Sequence, residues 1–458
     1  MRQKTREGAT RGKIELAPAR ILIAAVLVAL AALAAPAATA QSLIRDAEIE
    51  ATLKRLAYPM IRAAGLNPAT VRIYIINDRE PNAFVAGGSN LFINTGLVTR
   101  LKTVDQLRAV MAHEIGHIAG GHLARRDAAL GGARGIAAVG AAVAAAAALA
   151  GSPQAGLAII AGSQNAALRT ALAHSRAEEA AADQAGIRYL SAAGGDPEAA
   201  LDVLRLFRGQ EALLAGSQDA YTLTHPLWSE RIALLEERVA KLPPPPEPDP
   251  EDVYWHARMV AKFKGFLNTP GQTLKAYPAS DASEPAMLAR AVAYYREPSL
   301  RRALASVDAL IAVRPDDPYY HDLKGQFLLE AGQAGAAAQE YRRAVGLAPK
   351  DPLILGGLGR ALLNVDDPAA TREAAEILRR AEAADRANPE VLRDLALAEA
   401  RLGNEGQAAL ATAERFTLEG RPNDAYRLAT RASALLPTGS PGWNRAQDVL
   451  TMARRAVD

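Results

Sequence analysis

His113-Glu114-Ile115-Gly116-His117 combines residue types and a spacing suited to activating water on a metal. Residues four apart share one face of an α-helix, so His113 and His117 can offer two imidazoles to a single Zn2+. Glu114 lies one step round, placed to take the proton of a metal-activated water and pass it to a leaving amine. With 7 His and at most 50 acidic residues in 458, a shuffled chain would contain this pattern only about 0.01 times. The competing reading is two helix-face histidines beside a solvated Glu.

A catalytic zinc needs a third protein ligand and one open position. Glu179 is the best candidate, because Glu179-Ala180-Ala181-Ala182-Asp183 sets two carboxylates at i and i+4 on one helical face. Glu179 can ligate while Asp183 accepts a hydrogen bond from the outer nitrogen of a zinc histidine and fixes its tautomer. The alanines between them allow two helices to approach closely. In isolation a solvated face accounts for most such pairs; the position of this one, downstream of H-E-x-x-H, gives it weight.

Several elements must position these groups. Thr103 and Gln106 suit a capping box ahead of Leu107, Val110, Met111, Ile115 and Ile118, the buried stripe of the metal helix. Ser175 and Glu178 suit a second box, opening a helix that runs to about Ala193 and stops at Gly194-Gly195-Asp196-Pro197. Upstream, Ser42–Gly65 reads as an amphipathic helix, and Val71–Ile76 and Asn90–Leu97 read as strands that can pair antiparallel beside the metal helix. A free edge of that sheet would suit an extended peptide; an ordinary supporting hairpin is the plain alternative. Glu198–Leu214 and Ser229–Val239 read as helices, with Tyr221–His225 a loop between them. Gly135–Leu168 contains no charge and is broken at Gly151-Ser152-Pro153. It reads as an inserted helical hairpin that either packs on the core or shields the cleft, meets a partner or makes peripheral membrane contact.

At 458 residues the chain exceeds one ordinary core. Abundant alanine and only 5% aromatics lean helical. The net charge of +3 comes from residues 1–40, where six basic residues meet Glu7 and Glu15. The remainder is nearly neutral, and no basic patch argues for nucleic acid. Arg20, the apolar run Ile21–Ala35, Pro36 and Ala38-Thr39-Ala40 resemble a signal peptide cleaved after Ala40, which implies a periplasmic protein. An uncleaved inner-membrane anchor is the alternative. The chain has no cysteine, so neither disulfides nor a lipidated cysteine are available to it.

Pro243–Pro250 (PPPPEPDP) reads as a stiff linker and domain boundary. Beyond it, Gly325, Leu328, Gly332, Ala337, Tyr341, Ala344 and Pro349 fall at tetratricopeptide-repeat spacing, and Gly359 and Leu362 repeat Gly325 and Leu328 34 residues on. Phe416, Gly420, Ala425, Ala429, Ala432 and Pro437 give another match. The repeats are degenerate, and Asp366–Arg372 looks like an insertion. The expected organisation is a signal peptide over 1–40, a catalytic domain over 41–240, a linker with a connecting helix over 241–285 and a helical repeat array over 286–458. Such arrays offer a concave protein-binding surface or serve as a stabilising tail.

H-E-x-x-H, E-x-x-A-D on a later helix, His225-Pro226 with Arg231, and a C-terminal repeat array together resemble the BepA-type periplasmic zinc metalloproteases. These sit in the peptidase family that also holds HtpX and the CAAX prenyl endopeptidases. Asn82-Ala83-Phe84 and Asn94-Thr95-Gly96-Leu97 resemble stretches upstream of the metal helix in that family. The resemblance implies an α+β, mostly α, gluzincin-like domain with a small sheet, followed by an all-α tetratricopeptide solenoid. It implies one Zn2+ per chain on His113, His117 and Glu179, with Glu114 as general base. It further implies a role in outer-membrane protein quality control, cutting misfolded or unassembled envelope proteins while the repeats contact assembly machinery. His225 takes the place of a histidine that can fill the fourth zinc position and hold such enzymes inactive; a loop histidine without metal contact is the alternative. Arg231 either stabilises the oxyanion or pairs with an acid. His122, five residues past His117 and well round the helix, reads as structural, and spacing identifies no partner for His174, His256 or His321. A chaperone-like assembly factor with a latched or inactive metal site is the competing function.

Overall fold

Short apolar runs of β-branched and aromatic residues build a four-stranded sheet: β1 (Leu43–Ile44), β2 (Arg72–Ile76), β3 (Ala83–Ala86) and β4 (Asn90–Asn94), in the order β1-β2-β4-β3. The computed structural model describes residues 43–123, 175–208, 219–225 and 229–457. The signal peptide, the 135–168 hairpin, His174, Pro226 and the end of the helix expected to reach Leu214 lie outside them.

Three expectations are corrected here. β2 and β4 run parallel, Arg72 opposite Asn90 and Ile76 opposite Asn94, and the antiparallel partner of β4 is β3, a strand too short for the sequence to declare. The first helix, α1 (Ala47–Ala63), starts later than Ser42, because the Asp46 side chain accepts the Ile49 N–H and caps it there. That frees Leu43 and Ile44 to pair antiparallel with β2. β4 ends at Asn94 rather than Leu97, and Thr95–Arg100 forms a short helix, α2.

The metal helix, α3 (Val104–Ala119), is capped by Thr103, whose side chain accepts the Gln106 N–H. Gln106 Oε1 turns to the Lys102 N–H, not to Thr103, so the box is only half of the expected form. α4 (Arg176–Ala192) carries the full Ser175/Glu178 box. α5 (Glu198–Leu206), α6 (Ala220–Thr224) and α7 (Ser229–Val239) follow, and residues 221–224 are therefore a helical turn instead of a loop. One core joins α1, the sheet, α3, α4 and α5 through Leu53, Leu56, Met60, Ile93, Leu107, Met111, Ile187 and Leu204.

After Pro243–Pro250, α8 (Pro250–Leu267) packs Met259 and Phe263 into that same core. α9 (Pro270–Ala276) leads to antiparallel helix pairs: α10 (Glu284–Arg296) with α11 (Leu300–Val313), α12 (Pro318–Glu330) with α13 (Ala334–Leu347), α14 (Pro352–Leu363) with α15 (Pro368–Ala384), α16 (Pro389–Arg401) with α17 (Glu405–Leu418), and α18 (Pro422–Leu435) with α19 (Pro441–Val457). Four of these helices begin at an Asp-Pro or Asn-Pro pair: Asp317, Asp351, Asp367 and Asn388 each accept N–H groups of the first turn, and the following proline has no N–H to lose. Asp366–Arg372 leads into α15, which has 17 residues against the 14 of α13, so the expected insertion takes the form of a longer helix. The array is the tetratricopeptide type that the spacing predicts, with Gly325 against the Tyr341 ring. No helix among the described residues is long and apolar enough to cross a membrane.

His256 on α8 is buried with Nε2 unpartnered, and burial, then Lys264, lowers its pKa from 6.5 to about 4. The unfolded chain therefore binds the proton more tightly. This group's contribution is complete above about pH 6.5 and is lost as pH falls through 4, worth about 2–3 kcal/mol. In urea titrations at pH 7 and pH 4.5, His256→Phe should lose less stability on acidification than the parent. An unchanged difference would remove His256 as the cause.

Candidate metal centre

α3 and α4 cross at two glycines. A Cβ on Gly116 would meet the Ala182 carbonyl oxygen at 2.8 Å, and one on Gly186 would meet the His113 backbone at 3.1 Å. This close approach sets Glu179 and Asp183 against the two histidines. The outer nitrogens and oxygens then converge: His113 Nε2 lies 3.0 Å from His117 Nε2 and 3.4 Å from Glu179 Oε2, and His117 Nε2 lies 3.3 Å from Glu179 Oε1. His225, just past α6, closes the group with Nδ1 at 3.3 Å from His113 Nε2 and 3.0 Å from Glu179 Oε1.

The four buried residues each offer one ligand atom, all within 4.8 Å of one another, a group that could hold a metal ion. A tetrahedral zinc with bonds of about 2.0–2.1 Å has donor-to-donor edges of about 3.4 Å. Five of the separations, 3.0–3.4 Å and drawn to both Glu179 oxygens, are near that figure. The donor set, three imidazoles and one carboxylate, is likewise a zinc set.

The surroundings fix each ring. His113 Nδ1–H donates to Asp183 Oδ1 at 2.9 Å, which leaves the Nε2 lone pair facing the centre. His225 Nε2 lies 3.1 Å from the Ala83 carbonyl oxygen, so its proton belongs there and Nδ1 is free to ligate. Arg231 grips Asp183 through Nε and Nη2 at 2.7 and 2.8 Å and reaches Glu179 Oε2 through Nη1 at 2.7 Å. Of the two readings of Arg231 the geometry follows acid pairing: a guanidinium spent on two buried carboxylates does not face a substrate carbonyl. Burial raises the Asp183 carboxyl, but Arg231 outweighs it and holds the pKa at about 2; the same cation, then His225, holds Glu179 well below the carboxylate range. Burial, then His113, lowers His117 to about 4 despite Glu179, so it is neutral. Burial also depresses His225, yet Glu179 and Glu114 carry it up to about 10, so Nδ1 becomes a ligand only by giving up its proton as the metal binds.

Glu114 is fully buried, and neither carboxylate oxygen receives an aligned hydrogen bond; His225 Nε2 is 3.2 Å from Oε1. The edge of β3 beside it is occupied. Tyr221 N–H donates to the Pro81 carbonyl oxygen, Thr224 Oγ1–H to Asn82 Oδ1, and His225 covers Ala83. Tyr221 stacks on Phe207 and lies against His225, and Arg100 ties Asp219 to the same segment. At the start of β3, the sheet edge expected to suit a peptide is covered by α6 and His225.

Sequence reasoning missed one neighbour. His122 Nδ1 is 2.8 Å from His117 Nδ1, in direct contact with a metal-facing histidine. His256 and His321 take no part; His321 Nδ1 pairs with Glu340 at 2.8 Å within the repeats.

Residues 43–239 match the sequence model of Peptidase family M48. Over 408 residues the chain is 28% identical to the Beta-barrel assembly-enhancing protease of Escherichia coli (strain K12), covering 87% of this chain and 81% of that protein. It is 27% identical over 412 residues to the Putative beta-barrel assembly-enhancing protease of Vibrio cholerae, covering 87% and 83%. Over 189 residues, 41% of this chain and 51% of the relative, it is 31% identical to the Mitochondrial metalloendopeptidase OMA1 of Schizosaccharomyces pombe.

Proposed function

We propose, from the premise that this chain is a metallopeptidase with a peptidase family M48 domain over residues 43–239, that it is a zinc endopeptidase of the cell envelope that rests latched by His225. The observation that carries this is the convergence of His113, His117, Glu179 and His225, with Glu114 beside it. His113, His117 and Glu179 hold the zinc, which when bound supplies Lewis acidity toward a peptide carbonyl and toward water. Glu114 accepts the proton of the attacking water on a carboxylate oxygen and delivers it to the departing amine nitrogen, so proton and leaving group balance. Asp183 keeps the His113 proton on Nδ1, and Arg231 keeps both carboxylates ionised and in place. His225 has to withdraw for a substrate to enter. Because α6 covers Pro81 and His225 covers Ala83, the same withdrawal uncovers the start of the strand edge on which an extended peptide can pair.

The likeness to Beta-barrel assembly-enhancing proteases supports a part in β-barrel assembly, and the signal-like residues 21–40 support export. The protein is exported, with the signal peptide cleaved after Ala40, and it works in the periplasm on misfolded or unassembled envelope proteins. Its repeats contact the outer-membrane assembly machinery. Zinc analysis and chelator-sensitive cleavage of casein by the exported chain test the core of this reading; absence of a stoichiometric metal would end it.

The closed His225 also favours a second reading, an assembly factor whose repeats do the work over a latched site. His225→Ala separates the two. Freed of a resting contact worth about 1.4 kcal/mol or more, the variant should cleave casein roughly ten-fold faster or better. Equal or slower cleavage with zinc retained would favour the assembly factor.

A further inference from the structure

We propose that His122 is a positioning residue for the metal: it accepts the Nδ1–H of His117 and thereby holds that ligand's ring and lone pair on the zinc. The inference rests on the metal-site reading above and adds a fourth histidine that the ligand spacing does not contain.

The observation is the 2.8 Å separation of His117 Nδ1 and His122 Nδ1, both rings buried and set edge to face, 78° apart. One proton lies between two like nitrogens. Since His117 Nε2 faces the ligand cluster and must present a lone pair there, the proton resides on His117 Nδ1. His122 Nδ1 is then the acceptor, and His122 carries its own proton on Nε2. An imidazole here fills the role that Asp183 fills for His113, so each zinc histidine has an outer acceptor, one a carboxylate and one neutral.

The backbone is built for this contact. On a continuing helix, position 122 would point about 140° away from position 117, at about 100° per residue. α3 instead ends at Ala119, Gly120 follows as its cap, and Gly121 turns the chain at φ +61°, in the left-handed region that suits glycine. The turn folds His122 back over the helix end. Gly120 has to lack a side chain as well, because a Cβ there would sit 2.4 Å from His122 Nε2 and 3.0 Å from the Gly116 carbonyl oxygen. Two consecutive glycines thus serve the single purpose of delivering one acceptor to one ligand.

Zinc affinity of the full exported chain, measured by competition with a chelator of known affinity, tests this with three variants. Asn places a carboxamide oxygen where Nδ1 was, Gln places its carboxamide where Nε2 was, and Leu provides neither. His122→Leu and His122→Gln should bind zinc about 10–100-fold more weakly, and His122→Asn should recover most of the loss. The visible spectrum of the Co2+ form should follow the same order, changed in Leu and Gln and kept in Asn. Wild-type affinity in both Leu and Gln, or an Asn variant as weak as Leu, overturns the proposal. Should His122→Leu fail to fold in the zinc-free state, the Asn and Gln pair alone decides. A wild-type chain that takes up no zinc would instead overturn the metal site itself.

Discussion

Glu114→Gln should leave the fold and the zinc in place and lower peptide cleavage about 10²–10⁴-fold. Glu114 sits on α3 between the two ligand histidines, fully buried, with neither oxygen receiving an aligned hydrogen bond. A desolvated carboxylate in that condition is costly, and a protein keeps one where it accepts something transient. Burial raises its pKa, but His225 above all pulls it below the ordinary value, so the group is an anion able to take a proton. The glutamine amide has the same shape and no basic oxygen of comparable strength. Stability should hold or rise, because a buried charge disappears. Single-turnover cleavage, metal content and melting temperature measured on one preparation separate the effects. A variant that cleaves casein at the parental rate would remove Glu114 from the chemistry and leave a water-activating base to be found elsewhere.

The residues that carry this argument were legible because helical spacing is local. His113 and His117 at i and i+4, and Glu179 and Asp183 at i and i+4, need only their own helices to line up, and Asp183 does accept from the outer nitrogen of His113 as the pattern implies. His122 was not legible, because its place depends on a turn at Gly120-Gly121 that removes it from the helical wheel. The sheet was half legible for a related reason. The run of β-branched and aromatic residues in Arg72–Ile76 identifies a strand, but its parallel pairing with Asn90–Asn94 is decided by β3, which takes the antiparallel position beside β4. The closure of the β3 edge could not be foreseen at all: it depends on Tyr221, Thr224 and His225, separated from Pro81–Ala83 by 140 residues or so of chain.

Arg258→Ala should be the most damaging change to stability, at about 3–5 kcal/mol. Arg258 on α8 is fully buried between the two parts of the molecule. Its Nε donates to Glu48 Oε1 at 2.6 Å on α1, and its Nη1 to Asp317 Oδ2 at 2.5 Å at the cap of α12. The guanidinium stacks on Tyr320 at 4.0 Å and on Trp255 at 4.6 Å. Glu48 is buried too; burial raises its pKa, and Arg258 and Lys262 outweigh that and hold it low, with Lys262 also on Asp46 at 2.7 Å. Removing the arginine leaves Glu48 with one partner and Asp317 facing Tyr320 without its cation, and an uncompensated buried charge costs more than the lost pair contributed. The loss should be partly reversed in Glu48→Gln/Arg258→Met, which takes away the stranded carboxylate and refills the volume. Urea unfolding of the two variants checks both statements. If Arg258→Ala unfolds within about 1 kcal/mol of the parent, as exposed pairs do, the buried network contributes little and the repeats are held to the catalytic part by apolar packing.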